Sequence, residues 1–176
     1  LKKMKTNKLV EQRINKYWQW GPLLTYNMLI FPNSTPIISF VHELRSRYSE
    51  TDKMGYVYHG KFLEYFEVAR VEMIRESGLE YSEMEDSGIM LPVVEANVEF
   101  KAPVLYDEPI EIEVLVYEKP SIRLKTFYHV IAKERDLLCA RAQVTLFFMN
   151  AITRKPTRAP AKFLDALDQA LLKTNA

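Results

Sequence analysis

The sequence holds one cysteine, Cys139, in 176 residues. No internal disulfide can form, so the fold must stand on its core. At this length about two thirds or more of the unfolded surface can be buried, enough for a core without metal or disulfide staples, and one compact domain is expected. A lone cysteine in an apolar run fits a reducing compartment, as it would an exported protein that uses no disulfides, and the chain is read as cytoplasmic. An excess of charge of one sign is missing too. The 24 basic and 23 acidic residues leave a net charge of +1, so composition supplies no field for nucleic acid. The Lys2, Lys3, Lys5, Lys8 cluster is short and terminal. No apolar run reaches the roughly 20 residues needed to cross a bilayer. The longest candidate, from Leu23 to Phe31, is interrupted by Tyr26 and Asn27, and no transmembrane segment is expected. The basic-then-apolar order of a signal peptide is broken by Glu11, Gln12 and Arg13, so export is not expected either.

Several catalytic patterns are absent as well. His42, His59 and His129 are scattered, and with a single cysteine they give no zinc-ligand spacing. No serine or cysteine sits in a Gly-x-Ser-x-Gly elbow, which leaves a hydrolase triad unsupported. There is no internal repeat, low-complexity tract or dividing linker.

What is present is the balance of an ordinary globular protein, 48% hydrophobic and 27% charged. Residues 1 to 36 are set apart as an N-terminal extension, partly helical. Leu9, Val10, Ile14, Tyr17 and Trp18 recur at helical spacing until Gly21-Pro22, with Asn7 as a cap. The domain proper is expected to span 37 to 176. A first strand is predicted from Ile37 to Arg47, followed by a polar loop from Tyr48 to Gly55. From His59 to about Glu76, Phe62, Phe66, Ala69 and Met73 lie three or four apart, which predicts a helix ending at Ser77-Gly78. Its apolar side, with Tyr65, Val68 and Ile74 added, is broad enough to be wrapped on most sides. Lys61, Glu64, Glu67 and Arg70 are expected on its wet flank. After a short helical or irregular stretch from Leu79 to Ser87 the period changes to two. Strands are predicted around Val94 to Phe100, Ile110 to Val116, Ile122 to Val130 and Ala140 to Phe148. Short turns separate them, favouring antiparallel pairing. A last helix, Pro160 to Lys173, presents Phe163, Leu167, Ala170 and Leu171 on one face. The order is that of an α+β fold.

The chemistry concentrates in one segment. Asp52 stands three residues before Gly55 and seven before His59, where the long helix begins. A helix N-terminus presents unpaired N–H groups and partial positive charge, suited to the oxygen of a polarised carbonyl. The N–H of His59 or Gly60 is the candidate oxyanion donor. A carboxylate brought there by the loop could attack a thioester carbon or activate a water. Turn chemistry or helix capping by Thr51 or Asp52 would leave the same residues in the same places.

The run Tyr48-Ser-Glu-Thr-Asp52-Lys-Met-Gly55-Tyr-Val57-Tyr58-His59, followed by Phe62, Tyr65, Phe66, Glu67 and Ala69-Arg70, resembles the signature of the 4-hydroxybenzoyl-CoA thioesterase family, especially its YbgC-like acyl-CoA branch. Val94 to Asp107 looks like that family's second strand and turn. The resemblance runs from Ile37 to about Pro160. It implies a hotdog fold, a five-stranded antiparallel sheet wrapped around the long helix, with active sites at a dimer interface and dimers often paired into tetramers. It implies Asp52 as the catalytic carboxylate, the His59 N–H as oxyanion donor, and Gly55 as the residue that lets the loop turn close to the substrate. Tyr48, Val57, Tyr58, Gly60, Lys61 and Phe62 would line the substrate. No cofactor is implied, because coenzyme A would be part of the substrate, and an acyl carrier protein thioester is the alternative. Lys101, Arg123, Lys125 and Arg141 are the basic candidates for its phosphates. Glu64 or Glu67 could supply a second carboxylate. Two departures stand out, Lys61 and Phe62, where many members have Asn and Tyr. A non-catalytic acyl-ligand binder on the same fold is the second reading. A hydratase or dehydratase ranks third, since its Gly-His-Phe-Pro segment is missing.

Overall fold

The computed structural model describes residues 29–79 and 81–174. The helix read at Leu9 to Trp18 lies outside these residues. The chain enters β1 (Ile38–Arg45), makes a 3-10 turn (Tyr48–Glu50), and after a loop forms the long helix α1 (Lys61–Glu76) and the short α2 (Tyr81–Asp86). Six strands follow: β2 (Ile89–Met90), β3 (Val93–Phe100), β4 (Pro109–Val116), β5 (Arg123–Ala132), β6 (Leu137–Phe147) and β7 (Met149–Asn150), then helix α3 (Ala161–Thr174). Five strands make one sheet in the order β1-β4-β5-β6-β3, antiparallel at every pairing. The expected strand count and α+β class are met.

Alternation explains which face packs. Ile110, Ile112, Val114 and Val116 of β4, and Leu124, Thr126, Tyr128 and Val130 of β5, are all fully buried, because residues two apart share one face of a strand. Against that face α1 lays Phe62, Phe66, Ala69 and Met73, all buried. The Phe66 and Tyr128 rings meet with centroids 4.6 Å apart. Helix α3 packs on β1 and α1. Its Phe163 stands edge-on to Phe148 at 5.1 Å, and Phe163 and Leu167 are buried, as their spacing predicted.

Three details differ from the sequence-based expectations. Arg70, placed on the wet flank, is only 4% exposed. It follows Phe66 by one helical turn, so it shares the sheet-facing side, where its Nε is buried without a hydrogen-bond partner and its charge acts on the buried Tyr128 phenol. Val68, placed in the apolar side, is half-exposed. The last strand gives way after Phe147 to the two-residue β7, which pairs with β2 in a separate ribbon. No periodicity exists in two residues to announce such a pairing.

The outer face of the sheet carries its own cluster. The ring of Phe31 stacks on His129 at 4.8 Å and meets Phe127 edge-on at 5.0 Å. The Arg141 guanidinium lies 4.4 Å from its centroid. His129 Nδ1 is 2.8 Å from Glu113 Oε2, and the Ser39 hydroxyl donates to the other oxygen at 3.2 Å. Burial alone would raise the Glu113 carboxyl, but the hydrogen bond and charge of His129, with Ser39, more than reverse this and hold it below its usual value.

Two predictions follow from these contacts. Phe66→Ala should cost about 3–5 kcal/mol, the range for emptying a buried phenylalanine site, measured by chemical denaturation. A carboxyl lowered on folding contributes stability that is present above its unfolded pKa and lost as pH falls through the folded one. Glu113→Gln should therefore be less stable than the wild type at neutral pH. The gap should close as pH drops below the ordinary carboxylate range, read from melting temperatures across an acid series.

Candidate active site

The segment between β1 and α1 is a narrow loop held by its own backbone. Thr51 bridges Val57, and Tyr56 bridges Leu105. Within the loop the Asp52 N–H donates to Tyr56 O at 2.8 Å, the Gly55 N–H to Asp52 O at 3.0 Å, and the Met54 N–H to Asp52 Oδ1 at 2.8 Å. The last is an Asx turn, the local bond that aspartate is suited to make. It occupies one carboxylate oxygen and leaves Oδ2 without a hydrogen bond among the described residues. Asp52 itself is half-buried. Gly55 closes the turn at φ +79°, and a Cβ there would meet nothing within 4 Å. The demand for glycine at this position is therefore one of backbone conformation, not of space.

The loop delivers the chain to the start of α1. Lys61 N–H donates to Tyr58 O at 2.9 Å and Phe62 N–H to His59 O at 3.3 Å. Among the described residues the N–H groups of His59 and Gly60 donate to no backbone group. These are the orphan donors of a helix N-terminus, reinforced by its dipole. Asp52, Gly55, His59 and Gly60 are thus carried by one hydrogen-bonded loop and the helix start it leads to.

The residues expected to line a substrate divide into two groups. Tyr48 is exposed and meets Tyr106 edge-on at 5.7 Å. Tyr58 is half-exposed, its ring 4.2 Å from His59, and it crowds Gly60, where a Cβ would fall 2.8 Å from the tyrosine ring. Lys61 is tied to Glu64 by contacts of 2.7 and 2.9 Å. Val57 and Phe62, by contrast, are buried in the core. Phe62 reaches the site only through Phe100, a half-exposed ring 5.1 Å away on β3 that also faces His59 at 6.4 Å. The sequence marks Phe100 only as a strand residue. The period of two places it on the helix-facing side, but only the fold brings it to the helix start.

Glu64 and Glu67 line a shallow groove of about 300 Å³ on the exposed flank of α1, with Val68, Val71 and Glu72. Asp52 is not among its lining residues. Of the basic candidates, Arg141 is covered by Phe31 and its Nε is buried without a partner. Lys101 pairs with Glu99 at 3.0 Å, Lys125 with Glu118 at 3.6 Å, and Arg123 lies over the Phe147 ring.

Comparison with known proteins decides the family. The model of the thioesterase-like superfamily matches residues 46–167, a span that begins just before the Asp52 loop and ends in α3. The chain belongs to the thioesterase-like superfamily. Among relatives, YneP of Bacillus subtilis (strain 168), which bears the name of an acyl-CoA thioesterase, is 36% identical over 88 residues, covering 50% of this chain and 64% of its own length. The acyl-CoA thioester hydrolase YbgC of Escherichia coli O6:H1 is 25% identical over 126 residues, 72% of this chain and 93% of that protein. Among solved structures, a DHNA-CoA thioesterase from Staphylococcus aureus superposes with a TM-score of 0.71 at 31% identity, covering 78% of this chain and 93% of that one.

The conformation of this superfamily loop can be tested directly. Gly55→Ala forces a side chain into the left-handed region, which costs roughly 1–2 kcal/mol. It should lower the melting temperature while leaving the circular dichroism of the folded state unchanged, because no atom lies where the new methyl would sit.

Proposed function

We propose that this chain hydrolyses the thioester of an acyl-coenzyme A to the free acid and coenzyme A. Asp52 acts as nucleophile or general base, and the N–H of His59, with Gly60 beside it, holds the oxyanion. The observation that carries this reading is the pairing of a half-buried carboxylate, one oxygen tied and the other free, with unpaired N–H donors at the helix start reached by the same loop. The relatives' activities support it, since YbgC is an acyl-CoA thioester hydrolase and the Staphylococcus aureus protein a DHNA-CoA thioesterase.

The chemistry runs in either of two balanced ways. As general base, Asp52 takes a proton from water while the hydroxide oxygen adds to the thioester carbon. The carbonyl oxygen becomes an oxyanion at the helix start, and the C–S bond then breaks as the thiolate leaves and is protonated. As nucleophile, the free oxygen of Asp52 adds to the same carbon, expels the thiolate and forms a mixed anhydride, which water then cleaves. Both routes place negative charge where the helix N-terminus favours it.

Exposed Arg123 and half-buried Lys125 are the surviving basic candidates for the coenzyme phosphates, together with Lys101. Arg141 under Phe31 is not one. An acyl carrier protein thioester presents the same bond and remains within this reading. The assembly is a homodimer or homotetramer. Among the described residues strand β3 pairs only with β6, and Val93, Val94 and Phe100 on it are about half-exposed, which suits an edge covered by a second copy. No helix among the described residues is long and apolar enough to cross a membrane. A cytoplasmic setting is part of this reading and rests on the single cysteine of the sequence. Residues 37 to 176 form the catalytic domain, and 1 to 36 are an extension whose end packs Phe31 on the sheet.

The test is thiol release from short, long and aromatic acyl-CoA compounds, with Asp52→Asn alongside. The variant should lose on the order of a hundredfold or more in kcat, as expected for a lost base or nucleophile. Full turnover by Asp52→Asn would remove Asp52 from the mechanism.

A further inference from the structure

The loop's internal bonds fix its shape, but its station against α1 depends on ties to the rest of the domain, and one residue makes several of them. Glu50 ends the 3-10 turn two residues before Asp52. It is 9% exposed, and its nearest cationic atom, Arg47 Nε, is 3.9 Å away on a largely exposed side chain. Its Oε2 accepts the backbone N–H of Arg47 at 2.8 Å and the hydroxyl of Tyr65 at 2.7 Å. Its carbonyl accepts the N–H of Tyr58 at 2.8 Å. Arg47 follows the end of β1, Tyr65 lies in the second turn of α1, and Tyr58 is on the returning limb of the loop beside His59.

We propose that Glu50 is a positioning residue, which docks the Asp52 loop on α1 through Tyr65 and so sets the carboxylate of Asp52 against the N–H groups of His59 and Gly60. The inference rests on the thioesterase reading for its consequence in turnover, but the docking itself does not.

The residue types fit this role. A carboxylate only accepts hydrogen bonds, so both donors are held in a fixed sense, and bonds to a charged acceptor are the shorter and stronger kind. Tyr65 is buried, so its hydroxyl needs a partner. Burial first, then the bond and charge of Glu50, push its phenol far above the usual range, so it stays a donor at every working pH. Two donors on one oxygen of a buried side chain leave Glu50 poorly placed to meet substrate. Its effect on the reaction therefore passes through Asp52.

Sequence order makes the dependence sharp. Only Thr51 separates Glu50 from Asp52, so a shift of the turn is transmitted to the carboxylate with little slack. A displacement near 1 Å can cost on the order of a hundredfold in rate.

The experiment compares Tyr65→Phe, Glu50→Ala and Glu50→Gln in the full chain, by thiol release from an acyl-CoA that the wild type turns over and by amide hydrogen exchange over residues 51 to 58. Tyr65→Phe keeps the ring in the core and removes only the hydroxyl. Tyr65→Phe and Glu50→Ala are expected to lose roughly ten- to a hundredfold in kcat with KM changed less than about threefold, the signature of a lost transition-state arrangement. Exchange in the loop should quicken in both. Glu50→Gln should recover most of kcat and of the protection, because its amide oxygen can accept the same two bonds. Unchanged kcat and exchange in Tyr65→Phe and Glu50→Ala would overturn the proposal. So would a Glu50→Gln as impaired as Glu50→Ala with one limb of the pH profile gone, since Glu50 would then be moving a proton. Wild-type protein that releases no thiol from any compound would sink the thioesterase reading, while the exchange data would still decide whether Glu50 docks the loop.

Discussion

The contact between Phe66 and Tyr128, two fully buried rings with centroids 4.6 Å apart, holds the long helix against the sheet. The rest of the molecule is arranged around that contact. Burying one such side chain is worth about 1.5–3 kcal/mol, with aromatic geometry adding about 0.5–1.5 kcal/mol. The contact also fixes the rotation of α1 about its axis. Once Phe66 faces β5, Tyr65 must turn toward the Glu50 loop and Arg70, one turn on, is buried on the sheet side. The same rotation leaves Glu64, Glu67 and Val68 on the open flank. A packing decision in the middle of the helix thus determines which groups stand at its N-terminal end.

The proposed chemistry uses that end because it is unfinished. Most helices satisfy their first N–H groups with a Ser, Thr, Asp or Asn cap. Here the N-cap is Gly60, which has no side chain to supply, and Tyr58 packs so closely that a larger residue would collide with its ring. Asp52, the carboxylate of the loop that leads into the helix, is tied into an Asx turn with Met54. The donors left over are available to an incoming oxygen, and a free carboxylate oxygen belongs to the same loop. Local stability is withheld at the place where binding energy can be used.

Much of this was legible in the sequence, for reasons that also explain what was not. The strands β3 to β6 announced themselves by a period of two, and α1 by a period near 3.6, because each buries one face in a continuous core. The end of β1 was read two residues late, at Arg47 rather than Arg45, since the N–H of Arg47 is taken by the Glu50 side chain and not by a ladder. Long-range polar partnerships left no trace in periodicity. Arg70 looks like a solvated flank residue until Tyr128 is brought above it, and Glu50 looks like a loop carboxylate until Tyr65 arrives from fifteen positions away. Likewise Phe100 and His59, 41 positions apart, become neighbours only when β3 takes the outer edge of the sheet.

That outer edge gives the site its remaining physical requirement. Phe100 and Tyr58 are half-exposed and His59 is exposed beside the helix start, so among the described residues the proposed oxyanion donors are not covered on the β3 side. Hydrogen bonds to a developing charge are worth most where water is excluded and the local dielectric is low. An apolar acyl group lying along Phe100 would supply part of that exclusion. A second copy set against the edge of β3 that no described residue pairs, as in the proposed dimer, would supply the rest. Association and catalysis would then be linked by one cause: covering Val93, Val94 and Phe100 removes exposed apolar surface and, in the same step, dries the place where the thioester oxygen gains its charge.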